Sequence, residues 1–97
     1  MSDTEGAEIL HEAYDLITGP RQKQYAHPLE DYTKVCTIFY GLTGVELNVQ
    51  EALCFMLAVK MARLRTARER NSLHHDSLVD AIGYLGCMNM ASKRAAK

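Results

Sequence analysis

The sequence predicts an all-α protein, a four-helix up-down bundle formed by a single domain over residues 1–97. Apolar residues recur at helical spacing in four segments. Capping signatures and glycine or proline breaks separate these segments, and no segment has the alternating pattern of a strand. The 97 residues, of which 47% are hydrophobic and 24% charged, suffice for one small core.

The first two predicted helices are separated by a loop of about nine residues. Helix 1 is predicted over residues 4–18, between a capping-box pattern and a Gly-Pro pair that stops it. The loop has no helical period and is long for a helix connection, which is typical of functional loops. Helix 2 is predicted over residues 28–42, because Pro28 suits a first turn and Gly41 and Gly44 mark its end.

Helix 3 is predicted over residues 49–69 and contains the most apolar stretch of the chain. The run Ala52–Val59 is apolar on every face, which is typical of an enclosed helix. Because so short a chain can rarely enclose a helix, we expect part of its surface to pack against another copy in a homo-oligomer. Helix 4 is predicted over residues 73–92, with Ser72 as its cap.

Composition excludes several functional classes. Eleven basic and twelve acidic residues nearly cancel, so no general nucleic-acid binding is expected. No apolar run approaches the roughly 20 residues of a membrane span, and no signal-peptide pattern is present, so we expect a cytoplasmic protein. The three cysteines are widely spaced without a C-x-x-C pair, which favours reduced thiols over a zinc site.

The last two helices should form an antiparallel hairpin. With its turn near Asn71, paired positions sum to about 140, which places Lys60 opposite Asp80 and Arg63 opposite Asp76. Charged residues that meet within an otherwise apolar helix pair have two interpretations, and the sequence leaves both open. They are either interhelical ion pairs that brace the bundle or parts of a binding site.

The same geometry gathers polar residues from four segments at one end of the bundle. Carboxylates one helical turn apart suit Mg²⁺, cationic side chains suit phosphate oxygens, and aromatic rings suit base stacking. The predicted metal ligands are Asp31, Asp76 and Asp80. The predicted nucleotide-binding residues are Arg21, Tyr25, His27, Lys60, Arg63 and Tyr84. The two histidines at 74 and 75 point apart on a helix and are expected to be solvated.

Three motifs carry a resemblance that covers about Ala7 to Gly86. They read RQxxYxHPLEDY, LxVKMARL and DSLVDAIGYLG in this chain. Together they resemble a phage and prophage family of small domains with the pattern R-x-x-x-Y-x-H-P, K-x-A-R and D-S-x-x-D-x-x-G-Y. The last motif is also distantly similar to the MazG-like all-α nucleoside triphosphate pyrophosphohydrolases. That similarity implies Mg²⁺, assembly as dimers or tetramers and, for a phage-encoded protein, the host cytoplasm.

The acidic motifs of the MazG-like group are only partly present. Asp80 matches the final acid of an E-x-x-D motif, Asp76 stands one residue earlier than that motif requires, and helices 2 and 3 lack an E-x-x-E. We therefore expect a phage-type MazG-like nucleotide-binding protein, for which the resemblance implies Mg²⁺-dependent pyrophosphohydrolysis from an incomplete acidic site. The alternative is a noncatalytic oligomeric helical protein that binds a host or phage protein.

Overall fold

A computed structural model of the chain describes residues 4–19 and 26–97, and these residues form four α-helices. The helices are α1 (Glu5–Thr18), α2 (Pro28–Thr43), α3 (Val49–Glu69) and α4 (His75–Ala95). The described residues contain no strand, so the predicted all-α class with four helices is confirmed. None of these helices is long and apolar enough to cross a bilayer.

The start of α3 has the capping box that the sequence indicates, and the start of α2 is capped by His27. Before α2, the His27 Nδ1 accepts a hydrogen bond of 3.1 Å from the Leu29 N–H. Before α3, the Asn48 side chain accepts from the Glu51 N–H at 2.8 Å, and the Glu51 carboxylate accepts from the Asn48 N–H at 3.0 Å. This reciprocal capping box satisfies donors that a helix start otherwise leaves unpaired.

The α3–α4 turn is where the sequence placed it, but the cap of α4 is not. Asn71 adopts the left-handed conformation (φ 57°) that asparagine tolerates after a helix. Ser72 does not cap α4: its N–H donates back to the Ala67 carbonyl at 3.0 Å, and its hydroxyl donates there as well. The cap is His74, whose Nδ1 accepts from the Ser77 N–H at 3.3 Å. α4 therefore begins two residues later than predicted.

The four helices are organised around α4 rather than as a closed bundle. α4 packs against all three other helices, α2 also packs against α3, and α1 touches only α4. The predicted up-down bundle is therefore wrong for α1, which contacts neither α2 nor α3. Small residues of α4 explain the arrangement, because Gly83 and Gly86 face Ile17 of α1. A Cβ on Gly86 would lie 2.9 Å from the Ile17 Cδ1.

Two polar contacts attach α1 and α2 to opposite ends of α4. The His75 Nε2 lies 2.7 Å from a Glu12 carboxylate oxygen, which joins the start of α4 to α1. The Arg94 guanidinium donates to the Glu30 carboxylate at 3.0 Å, which joins the end of α4 to the start of α2. Both pairs are exposed, so they orient the helices more than they stabilise them.

The core is small, and much apolar surface is left outside it. The buried apolar residues of the described chain are Ala13, Ala52, Leu53, Val79, Ala81 and Ala91. α3 is covered on one face only, and Phe55 and Met61 remain exposed on another. The chain is also extended, with a radius of gyration of 15.1 Å, whereas a compact chain of this length has about 12.5 Å. Large apolar side chains of α1, α2 and α3 are consequently exposed.

Candidate functional site

A partly buried ion pair between α3 and α4 lies at the centre of the candidate site. The Lys60 Nζ is 3.0 Å from an Asp80 carboxylate oxygen, and the side chains are 14% and 31% exposed. The predicted hairpin register is therefore confirmed for this pair. A second α3–α4 contact agrees with it, because the Gln50 amide donates to the Met88 carbonyl at 2.9 Å.

The ion pair forms part of the wall of a cavity of about 330 Å³, called here the Lys60–Asp80 cavity. All four helices and the chain just before α2 contribute to it. Its lining residues are Leu16, Ile17, Ala26, Pro28, Asp31, Tyr32, Lys60, Asp80, Gly83, Tyr84 and Cys87. The volume is at the lower end of the range of ligand pockets, and the mixture of an apolar wall with a few converging polar groups is typical of them.

Two tyrosines from neighbouring helices meet in this cavity. Tyr32 of α2 and Tyr84 of α4 both line it. Burial, followed by the effects of Tyr84, Cys87 and Asp31, raises the pKa of Tyr32 far above its ordinary value of 10.0. Tyr32 therefore keeps its proton at neutral pH and presents a neutral hydroxyl at the cavity wall.

The α4 side of the cavity is completed by a glycine and a thiol. A Cβ on Gly83 would lie 3.6 Å from the Ile17 Cγ2, so the absence of a side chain there keeps the cavity open beside α1. One turn further on, burial raises the pKa of the Cys87 thiol. Cys87 therefore remains a protonated, weakly polar group rather than a nucleophilic thiolate.

The structure brings four of the predicted site residues together. Asp31, Lys60, Asp80 and Tyr84 all line the Lys60–Asp80 cavity. His27 immediately precedes the lining residue Pro28, and its Nδ1 is engaged in capping α2. Burial first, and then the positive charge of Arg94, lower the pKa of His27 below 6.5. Arg21 and Tyr25 lie outside the described residues.

Two predicted residues, Arg63 and Asp76, lie elsewhere. No ion pair joins them within the part of the chain that the structure describes, and neither lines the cavity. Arg63 instead borders a separate groove between the end of α3 and the chain leading into α4. Asp76 is exposed in the first turn of α4. The hairpin sum gives the level of a residue along the axis, but not the direction in which its side chain points.

The donor set of the cavity is smaller than the sequence predicted. Asp31 and Asp80 line it without Asp76, and the described residues contain no group of three or more potential His, Cys, Asp or Glu metal ligands. One oxygen of Asp80 is already engaged by Lys60. Mg²⁺ is often held by one or two carboxylates together with the phosphates of its ligand. The residues present fit a metal–nucleotide complex better than a free ion.

Sequence reasoning missed Tyr32 and Cys87 as lining residues. Tyr32 follows Asp31 directly, but its hydrophobic spacing in α2 is that of an ordinary core residue. Cys87 continues the face of Asp80 and Tyr84, at spacings of four and then three residues. Extending that face by one more turn would have identified it.

The fold and the site define a small all-α protein that is organised around its last helix and has a charged cavity beside the α3–α4 ion pair. The chain belongs to the DUF6378 family, a domain of unknown function whose model matches residues 8–92. It is 35% identical over 80 residues to the Gene 55 protein of Mycobacterium phage D29. That match covers 82% of this chain, and the chain spans about half the length of the phage protein. No solved structure matches the chain significantly.

The predicted resemblance is confirmed at the level of a phage-associated domain of unknown function. The more distant similarity to MazG-like enzymes is not shown by these comparisons.

Proposed function

We propose that this chain is a MazG-like nucleotide-binding protein and that a nucleoside triphosphate with Mg²⁺ binds in the Lys60–Asp80 cavity. One observation carries the proposal: an ammonium group, two carboxylates and a tyrosine pair from three helices converge on one cavity of about 330 Å³. Converging polar groups in an otherwise apolar pocket are typical of a binding site.

The charges of the cavity favour a metal–nucleotide complex over the bare nucleotide. Asp31 and Asp80 contribute two negative charges against the single positive charge of Lys60. A free triphosphate would be repelled by this balance, whereas Mg²⁺ between the carboxylates and the phosphates would reverse it. In this proposal Lys60 donates to a phosphate oxygen and exchanges part of its pairing with Asp80 for that contact.

The apolar side of the cavity suits the base or the sugar. Leu16 and Ile17 of α1 contribute apolar surface to the cavity, and Tyr84 offers both a ring and a hydroxyl. The volume is sufficient for one end of a nucleotide, so the remainder would extend beyond the mouth. Arg21 and Tyr25, which lie outside the described residues, stay predictions for that part of the ligand.

Binding is proposed ahead of hydrolysis. Pyrophosphohydrolysis would require carboxylates to hold and activate an attacking water. The described residues place two carboxylates in the cavity, and Lys60 engages one of them. A protein that retains its nucleotide without cutting it fits this donor set best.

The test is thermal stability of the full chain against a panel of ribo- and deoxynucleoside triphosphates, with and without Mg²⁺. A nucleotide at 100 times its dissociation constant should raise the free energy of unfolding by about 2.7 kcal/mol. That rise corresponds to roughly 10 °C or more in a domain of this size. The rise should require Mg²⁺, and pyrophosphate release should be absent.

Two other outcomes are distinguishable. Pyrophosphate release above the level of a Lys60→Met variant would show an enzyme and contradict the ranking of binding over hydrolysis. If no nucleotide shifts the melting temperature, nucleotide binding is refuted. The alternative, a noncatalytic helical protein that binds a host or phage protein, would then be the better account, and the charges would be an ion-pair brace.

A further inference from the structure

The outer face of α3 is an uninterrupted exposed stripe on the side opposite the Lys60–Asp80 cavity. Its residues recur at helical spacing and are all exposed: Glu51, Cys54, Phe55, Ala58, Met61, Ala62 and Arg65. The opposite face of α3, which includes Leu53 and Lys60, is covered by the other helices. Phe55 and Met61 leave 63% and 53% of their surface in water. We call these seven residues the α3 stripe.

The amount of surface left in water exceeds that of an ordinary monomer. The chain exposes 7125 Å², whereas a folded monomer of 10.9 kDa exposes about 5,600 Å². The excess is roughly 1,500 Å², and a standard stable interface buries about 800 Å² on each partner. One standard interface would cover about half of this excess, and the apolar centre of the α3 stripe is a suitable place for it.

The order of charges along the α3 stripe identifies the occupant. Glu51 lies at its start, Arg65 lies at its end, and Ala58 lies midway between them. A second copy that crosses antiparallel at Ala58 would bring each Glu51 against the Arg65 of the other copy. The same operation would set Phe55 against Met61. A parallel copy would instead set glutamate against glutamate and arginine against arginine.

We propose that the α3 stripe is a homodimer interface, in which two copies of α3 cross antiparallel about a two-fold axis at Ala58. The small side chain of Ala58 allows close approach of the backbones at the crossing point. A two-fold interface requires a self-complementary patch, which an acidic-apolar-basic order provides. Both charged ends remain available for a partner. The Glu51 side chain is exposed although it accepts the capping hydrogen bond, and the contact of Arg65 with Glu69 is long, at 3.8 Å, and exposed.

The first test is the mass of the full chain in solution, measured by light scattering without any nucleotide. The expected mass is twice 10.9 kDa at micromolar concentration. Phe55→Lys should give a monomer, whereas Leu10→Lys should remain a dimer. Leu10 is a matched control, since it is 58% exposed on α1, which contacts only α4. A monomeric wild type, or dissociation by Leu10→Lys but not by Phe55→Lys, would overturn the proposal.

The second test distinguishes the two helix directions by oxidative cross-linking in a Cys54→Ser background. Ala58→Cys should form a disulfide-linked dimer, because residues at the axis face their own copies within disulfide reach. Glu51→Cys should not, because the antiparallel arrangement separates its copies by roughly 20 Å. Cross-linking through Glu51→Cys but not Ala58→Cys would show a parallel or different interface. Neither test depends on nucleotide binding, so the two proposals can fail separately.

Discussion

Removing the carboxylate of Asp80 should destabilise the protein far more than removing the exposed carboxylate of Asp76. Asp80→Ala leaves the Lys60 ammonium without its partner at 3.0 Å, in a position where the lysine side chain is only 14% exposed. Breaking a fully buried pair costs about 3–5 kcal/mol, and an exposed pair contributes under about 1 kcal/mol. Because Asp80 is 31% exposed, we expect a cost between these limits, about 2–3 kcal/mol.

Asp76→Ala is the matched control, since it removes the same group from the same helix one turn earlier. Asp76 is exposed and has no ion-pair partner among the described residues. Its loss removes a favourable charge from the first turn of α4, which costs about 0.3–1 kcal/mol. Both variants replace aspartate by alanine within the same helix, so helix propensity cancels between them. The difference between their costs is therefore a lower limit for the ion pair, because Asp76→Ala also loses its charge at the helix start.

The assay is urea denaturation at one fixed protein concentration, because unfolding of an oligomer depends on concentration. A Lys60→Met/Asp80→Leu double variant should recover most of the lost stability, since apolar residues can replace a buried pair at little cost. Equal effects of Asp80→Ala and Asp76→Ala, within about 0.5 kcal/mol, would refute the account of a partly buried pair that stabilises the α3–α4 hairpin.

Two further predictions concern the termini of α2. Gly41→Ala should stabilise the protein by about 0.5–1 kcal/mol, because a Cβ there meets nothing within 4 Å. Gly44→Ala should destabilise the protein by about 1 kcal/mol, because the φ angle of Gly44 is +75°. Thermal denaturation in which both variants shifted the melting temperature in the same direction would contradict this pair of predictions. At the other end, burial and then Arg94 lower the pKa of His27 from 6.5, so the unfolded chain binds more protons. The contribution of His27 to the free energy of unfolding should be at its full value above about pH 6.5. It should decrease as the pH falls below that value, because protonation of His27 favours the unfolded chain. His27→Asn, which keeps a capping acceptor, should show a smaller decline between pH 7 and pH 5, and an unchanged profile would show that His27 does not contribute.

The α3–α4 hairpin could be predicted because its signals are local. Asn71 marks the turn, apolar spacing fixes the two helices, and the resulting register brings Lys60 to Asp80. Arg63 could not be placed in the same way. It follows Lys60 by three residues, which rotates it about 60° around the helix axis. That rotation is enough to direct the Arg63 side chain to the separate groove between the end of α3 and the chain leading into α4.

The central position of α4 could not be predicted, because it depends on packing between distant segments. Two glycines lie within α4, and the structure shows that Ile17 of α1 approaches both of them. Hydrophobicity instead singled out α3, part of whose surface was expected to pack against another copy. The small residues of α4, including Ala81 and Gly83, are buried more completely than the larger side chains Phe55 and Met61 of α3. Within this chain, close packing therefore centres on the small residues of α4 rather than on the most hydrophobic stretch.

The central claim is that the Lys60–Asp80 cavity binds a nucleotide with Mg²⁺, and calorimetric titration of two α2 variants beside the wild type tests it most directly. Asp31→Asn removes a charge that lines the cavity, and Glu30→Gln removes the neighbouring charge, which pairs with Arg94 outside the lining. The nucleotide that gives the largest Mg²⁺-dependent shift should bind Asp31→Asn at least tenfold more weakly, a loss of about 1.4 kcal/mol, and Glu30→Gln as well as wild type. Equal affinities for all three proteins, or no heat of binding with any, would contradict the claim.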